Sequence, residues 1–265
     1  MNIRASGSTN VVDLYKSGVY ADQHSSEHID NGPGQALDVW DGFDDAIADL
    51  ILQQKTRISI CEVGCGTGVN LRSIRALIKN KYPDLTVDTV GVDIADYALD
   101  IGRREFPENR LISGDFLQLE EKFDIILFSD FLEHLENPFA FMRQAEKLAP
   151  YMVVRQPLQG NIGLFTKNLY PFAMDHWAHI QFFNFHSFQA IAGFCGWKAS
   201  KISLVPYTEL KTNKAPPNAL KSMLNKWNPV LMSLFSSGFY LNGSFRRIAS
   251  QEGAPAGVRS TATSH

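Results

Sequence analysis

Three features of the chain predict a doubly wound α/β fold. The first is ISICEVGCGTGVNLRSI at 58–74, where a strand-like apolar run, a glycine-dense turn and an amphipathic helix start follow one another. The second is FDIILFSD at 123–130, whose nearly continuous apolar centre suits a strand covered on both faces of a parallel sheet. The third is the alternation of strand and helix patterns from 57 to 157. Together they predict a mainly parallel, seven-stranded sheet with an N-terminal helical cap and an insertion before the last strand. A chain of 265 residues can bury such a core without disulfides.

Residues 1–35 read as irregular and polar. Residues 36–53 read as one helix or two short ones, because Leu37, Trp40, Phe43, Ile47 and Leu50 recur every three or four residues; Gly42 is a candidate break. Residues 57–63 form the first strand and 69–80 a helix with Leu71, Ile74, Leu77 and Ile78 facing the sheet. TVDTVGVDI forms a second strand ending at Asp93, followed by a short helix at 95–105. LISGD at 111–115 is a third strand with its turn, and 123–130 the fourth. A helix opened by Pro138 covers 138–149, and YMVVRQP is the fifth strand. After an aromatic-rich stretch, a helix runs from Ser187 to Phe194. KISLVPY and GSFRRIA then supply the last strands. The expected divisions are a cap with its helix at 1–56, a core at 57–207, a helical insertion at 208–241, a last core strand at 242–250 and a polar tail at 251–265.

Composition narrows the function class. Apolar residues make up 45% and charged residues 20%, the balance of a soluble globular protein. A net charge of -3, with no Lys/Arg run, argues against nucleic acid as partner. The N-terminus lacks the apolar stretch of a signal peptide, and no uninterrupted 18-residue apolar span occurs. Cys61, Cys65 and Cys195 are odd in number, and two lie in the glycine-rich region. That pattern fits reduced thiols in a cytoplasmic protein, and the spacing matches no common zinc pair, so no metal is expected.

The motifs then converge. EVGCGTG resembles the first motif of class I S-adenosylmethionine-dependent methyltransferases, on Glu62, Gly64, Gly66 and Gly68, with Cys65 in the same turn. The resemblance is closest to small-molecule methyltransferases and implies a Rossmann-like core. Glycines let the backbone approach a ligand, and Glu62 is placed to meet the amino group of a methionine moiety. By the same resemblance Asp93 in GVDIA accepts hydrogen bonds from the ribose hydroxyls, with Ile94 on one face of the base. Asp115 receives the adenine amino group and Phe116 or Leu117 packs near the ring. Asp130 and Phe131, in FDIILFSDFLEHLENP, lie beside the methionine end. A dinucleotide enzyme fits less well. Val69 stands where its fingerprint needs glycine, and Asp93 follows later than the roughly 20 residues expected.

The implied activity is in-line methyl transfer from S-adenosyl-L-methionine to oxygen or nitrogen of a small-molecule acceptor. The alternatives are a non-catalytic cofactor-binding regulator and a protein methyltransferase. The methyl is already activated on sulfur, so proximity and water exclusion carry much of the rate. A hydroxyl acceptor also benefits from a general base, for which His176, His179 and His134 are candidates. Each has a competing reading as an anchor for packing or for the turn after the fourth strand. Tyr170 and Trp177 are candidates to line an apolar acceptor pocket or to fill core, and Arg155 to bind a polar acceptor group or to pair with a sheet-edge acid. Tyr15 and Tyr20 are candidates to close over the site. The insertion, with Leu220, Met223, Leu224, Trp227, Val230, Leu231, Leu234 and Phe235, is more apolar than a solvated loop. It is expected to cap the pocket, form a homodimer or touch a membrane surface.

Overall fold

The computed structural model describes residues 26–210, 223, 227–235 and 238–248. Tyr15, Tyr20, the tail at 251–265 and half of the 208–241 insertion lie outside them. The elements in chain order are α1 Ser26–Leu52, β1 Arg57–Val63, α2 Val69–Lys81, β2 Thr86–Asp93, α3 Asp96–Glu105, β3 Arg110–Ser113, β4 Ile125–Ser129, α4 Pro138–Leu148, β5 Tyr151–Leu158, α5 Ile162–Thr166, α6 Tyr170–Trp177, α7 Phe185–Phe194, β6 Trp197–Pro206, α8 Pro229–Phe235 and β7 Phe239–Arg247. The seven strands form one sheet in the order β3-β2-β1-β4-β5-β7-β6. Only β7 runs against its neighbours, pairing antiparallel with both β5 and β6. Among the described residues no helix is long and apolar enough to cross a membrane.

The strand order reverses between β1 and β4. Chain leaves the sheet there towards opposite faces, and a crevice opens at the carboxyl ends of the strands. Both faces are covered. On one, Phe43, Ile47 and Leu50 of α1 and Leu71, Ile74 and Ile78 of α2 pack on Ile58, Ile60, Ile125 and Leu127. On the other, Met142 of α4, Phe188 of α7 and Trp197 pack on Cys61, Ile126 and Phe128. Burial on both faces is why β4 reads as a continuous apolar run.

The N-terminal helix departs from the sequence expectation in three ways. It begins at Ser26, so part of the stretch expected to be irregular is helical. Its buried stripe is Ala36, Val39, Phe43, Ala46, Ile47 and Leu50, and Leu37 faces solvent. Gly42 does not break it. A Cβ there would lie 3.0 Å from the carbonyl carbon of Gly243, so glycine lets helix and β7 backbone touch. Elsewhere the boundaries follow local chemistry. Asn137 accepts from the Ala140 amide (3.1 Å) ahead of Pro138. Asn184 and Ser187 form a capping box that starts α7 at Phe185, two residues earlier than expected. The last strand begins at Phe239, which shortens the insertion, and Pro229 opens α8 after a break at Asn228 that separates it from helical Trp227. Helices α5 and α6, within the aromatic-rich stretch, have no counterpart in the sequence reading.

Candidate active site

A cavity of about 920 Å³ opens at the reversal point, walled by the carboxyl ends of β1, β2 and β4. Its first end is built by the turn between β1 and α2. Gly64 has φ +71°, and a Cβ there would overlap the Phe131 ring. The turn is held by Asp93, whose Oδ2 accepts from the Gly66 amide (2.8 Å) and Oδ1 from the Ala95 amide (2.8 Å). Burial raises the Asp93 carboxyl pKa, and the backbone donors oppose that shift.

Glu62 lies at the floor of this end, buried, with Oε1 accepting from Asn70 Nδ2 (2.7 Å). Its Oε2 has no hydrogen-bond partner among the described residues. Burial pushes its pKa up to about 8, against the Asn70 hydrogen bond. A carboxylate oxygen left unsatisfied in a cavity is a site waiting for a cation or a donor. Asp115 completes this end from the β3 side. It also caps the following turn by accepting from the Leu117 amide (2.9 Å). Cys65, Gly66, Ile94, Phe116 and Phe131 line the same space. Phe116 is anchored edge-on against Phe128 and stacked on Phe141. Gly68 does not line the cavity. It packs the start of α2 against Leu111 and Asn109, so its contribution is to helix–strand approach.

The second end continues past Asp130 to Glu133, His134, Gln159, His176, Trp177, His179, Tyr207 and Tyr240. Asp130 has a left-handed backbone (φ 49°), which costs about 1 kcal/mol. Its side chain ion-pairs with Arg155. Arg155 is itself buried, close to Asp38 (3.5 Å) and over the Tyr240 ring (4.4 Å). It is therefore a structural cation behind Asp130, not an acceptor ligand in the cavity. Tyr170 is also outside the lining. Its ring packs edge-on against Phe182 at 4.7 Å. Trp177 does line the cavity and is 48% exposed at its mouth. His176 stands exposed there too, stacked on Phe172.

His134 and His179 meet inside, ring centroids 4.9 Å apart. His134 Nδ1 donates to the Ala178 carbonyl (3.2 Å), and His179 Nδ1 faces Gln159 Oε1 (2.7 Å). The amides of Ile180 and Gln181 donate to the Glu133 carbonyl (2.9 and 3.0 Å), which stitches this segment to the turn after β4. Burial lowers the His134 pKa to about 4. Burial and the neighbouring His134 lower His179 to about 3. Both rings are neutral near pH 7. Glu133, Gln159, Asn70, Tyr207 and Tyr240 were not singled out from the sequence. Glu133 had the one available signal, an acid beside His134 in the turn after the fourth strand. Cys61, Cys65 and Cys195 are all free thiols in buried positions.

A methyltransferase-domain family model matches residues 39–199, more than half of the chain. The chain belongs to this methyltransferase family. The methyltransferase also shares its fold with solved structures at low identity. A putative sarcosine dimethylglycine methyltransferase from Galdieria sulphuraria superposes with TM-score 0.54 at 14% identity, covering 80% of this chain and 84% of that one. A putative methyltransferase from Bacillus halodurans C-125 gives 0.51 at 14%, covering 78% and 100%. Magnesium protoporphyrin IX methyltransferase from Synechocystis PCC 6803, with bound S-adenosylhomocysteine, gives 0.50 at 16%, covering 81% and 84%. No curated protein matches the sequence. The methyltransferase uses S-adenosylmethionine as cofactor. Its residues fit that group: the orphaned Glu62 oxygen suits an ammonium, and Asp93 at the end of β2 suits ribose hydroxyls.

Proposed function

We propose that this enzyme transfers the methyl group to an oxygen or nitrogen of a small-molecule acceptor that enters past Trp177. The observation that carries the reading is one continuous cavity. Glu62, Asp93 and Asp115 line one end, and Glu133, His134 and His179 the other, with Asp130 between. An open space beyond Asp130 supports turnover over mere cofactor binding. Apolar rings at that end and a sequence with no Lys/Arg run support a small acceptor.

The cofactor supplies a methyl on a positively charged sulfur. The protein holds, orients and dries the site. Glu62 would hold the ammonium, Asp93 the ribose, and Asp115 with Phe116 and Ile94 the base, while Phe131 and Phe141, packed edge-on in the same lining, would keep water out. In the metal-free protein, His179 accepts the acceptor proton at Nε2 while Gln159 fixes the ring through Nδ1, and His134 supports it. His176, exposed at the mouth, contacts the acceptor on entry.

The test is calorimetric binding of S-adenosylmethionine and S-adenosylhomocysteine, followed by a screen of acceptors with labelled methyl. Micromolar binding that Asp93→Ala abolishes, with label appearing in an alcohol, phenol or amine, is the expected result. Folded protein that binds neither compound would sink the reading. Label found only in protein would replace the acceptor class.

A further inference from the structure

Glu133, His134 and His179 each turn a donor atom towards the others, and the three atoms lie within 4.8 Å of one another. They come from two places, the turn after β4 and the segment after α6, clamped together by the Ile180 and Gln181 amides on the Glu133 carbonyl. We propose that this trio binds a divalent first-row transition ion, of the zinc(II) or iron(II) kind, at the acceptor end of the cavity. The proposal rests on the acceptor-end reading above and changes one role within it. With the ion bound, the imidazole nitrogens are ligands, and an acceptor oxygen is held by the ion instead of by His179.

Four observations support it. First, the ligand set is right: two imidazoles and one carboxylate form a site for zinc or iron with coordination positions left open. Second, the outer contacts suit ligation. His179 Nδ1 faces Gln159 Oε1, which leaves the lone pair of that neutral ring on Nε2, and His134 Nδ1 lies against the Ala178 carbonyl. Outward N–H groups fixed by carbonyl oxygens are the usual outer support of metal-bound histidines. Third, Glu133 is 1% exposed. Gln156 Nε2 donates to its Oε2 (3.1 Å), while Oε1 has no hydrogen-bond partner among the described residues and lies 3.9 Å from His134 Nε2. A buried carboxylate oxygen turned towards imidazole nitrogens gains from a cation between them. Fourth, the trio lines the open cavity, so ion and acceptor have a route in.

The geometry is loose for an occupied site. Donors around a tetrahedral ion with bonds of about 2.1 Å stand roughly 3.4 Å apart. The side chains therefore close by about 1 Å on binding, which small side-chain rotations supply. Two imidazoles select against magnesium and calcium, which prefer all-oxygen sites.

The test is titration of the chelator-stripped full chain with cobalt(II), followed by visible absorption and displacement by zinc(II). S-adenosylhomocysteine binding is measured in parallel. The expected result is a single equivalent of cobalt with visible bands. Affinity should fall about a hundredfold or more in Glu133→Gln and in His179→Gln, each shown folded by unchanged S-adenosylhomocysteine binding. Wild-type protein that binds S-adenosylhomocysteine but no cobalt overturns the metal site and leaves the cofactor reading intact. Cobalt bound equally by wild type and both variants overturns it as well. Cobalt bound, and lost in the variants, without S-adenosylhomocysteine binding keeps the metal site and removes the cofactor reading; circular dichroism then reports folding.

Discussion

The two ends of the cavity are built by different means. At the cofactor end, strand termini and one tight turn set every position, held by Asp93 on the Gly66 and Ala95 amides and by Glu62 on Asn70. At the acceptor end the groups arrive on short helices and loops. His179 is held only because Gln159, Glu133 and Ala178 converge on one place. The first arrangement is a rigid cradle fixed by the sheet. The second is a surface whose residues can change without disturbing the sheet, the usual division between a scaffold and the loops that carry specificity.

The contrast predicts a clean separation of effects. The largest belongs to the acceptor end. His179→Ala should lower methyl transfer by about 10²–10⁴-fold while S-adenosylhomocysteine affinity changes little; an equal loss of both would erase the distinction between the ends. Next is Asp93→Ala. Loss of charge-assisted hydrogen bonds should weaken S-adenosylhomocysteine by about 3 kcal/mol, roughly a hundredfold, in calorimetry. Gly64→Ala follows. The positive φ and the Phe131 ring should together lower stability by about 2 kcal/mol, read as a drop in Tm alongside weaker cofactor binding. Trp177→Ala should be smallest, raising the acceptor KM with stability unchanged within about 0.5 kcal/mol, since nearly half of the ring is already in water.

The two ends also answer pH in opposite senses. Glu62 holds its proton in the folded protein up to about 8, against 4.5 for a free carboxyl, so its burial is tolerated below pH 4.5 and weakens the fold as pH rises through 8. His134 and His179 titrate near 4 and 3, against 6.5, so the folded state loses stability as pH falls below 6.5. A bound ammonium favours ionised Glu62. Cofactor binding near pH 7 should therefore release protons, seen as a buffer-dependent enthalpy. Glu62→Gln should abolish that release, and release persisting in the variant would assign it elsewhere.

The same division decides what could be read from the chain. Glu62, Asp93 and Asp115 are legible because strand period and turn chemistry fix them locally, and β4 because burial on both faces leaves an apolar run. Gly42 misleads, since its reason is a strand two hundred residues away. Leu37 matches a helical stripe, but the face that docks is one position out of phase with it. Arg155 looks free for a ligand until Asp38, from α1, is brought beside it. Helices α5 and α6 escape notice because their rings, exposed Phe165 and Phe172 among them, carry no clear period. Glu133 is the plainest omission. Its meaning comes from His179, which reaches it only in the folded chain.

The contact of Gly42 with Gly243 sets an order of events during synthesis. Helix α1 rests on β7, and Asp45 Oδ2 accepts from Ser244 Oγ (2.7 Å). The first described element thus docks on the last described one. Until residues beyond 239 emerge from the ribosome, β5, buried along its whole length in the folded protein, is an unpaired sheet edge, and α1 lacks the strand it rests on beside Asp38 and Arg155. The edge of the parallel half of the sheet is thus covered by a strand that is made about eighty residues later.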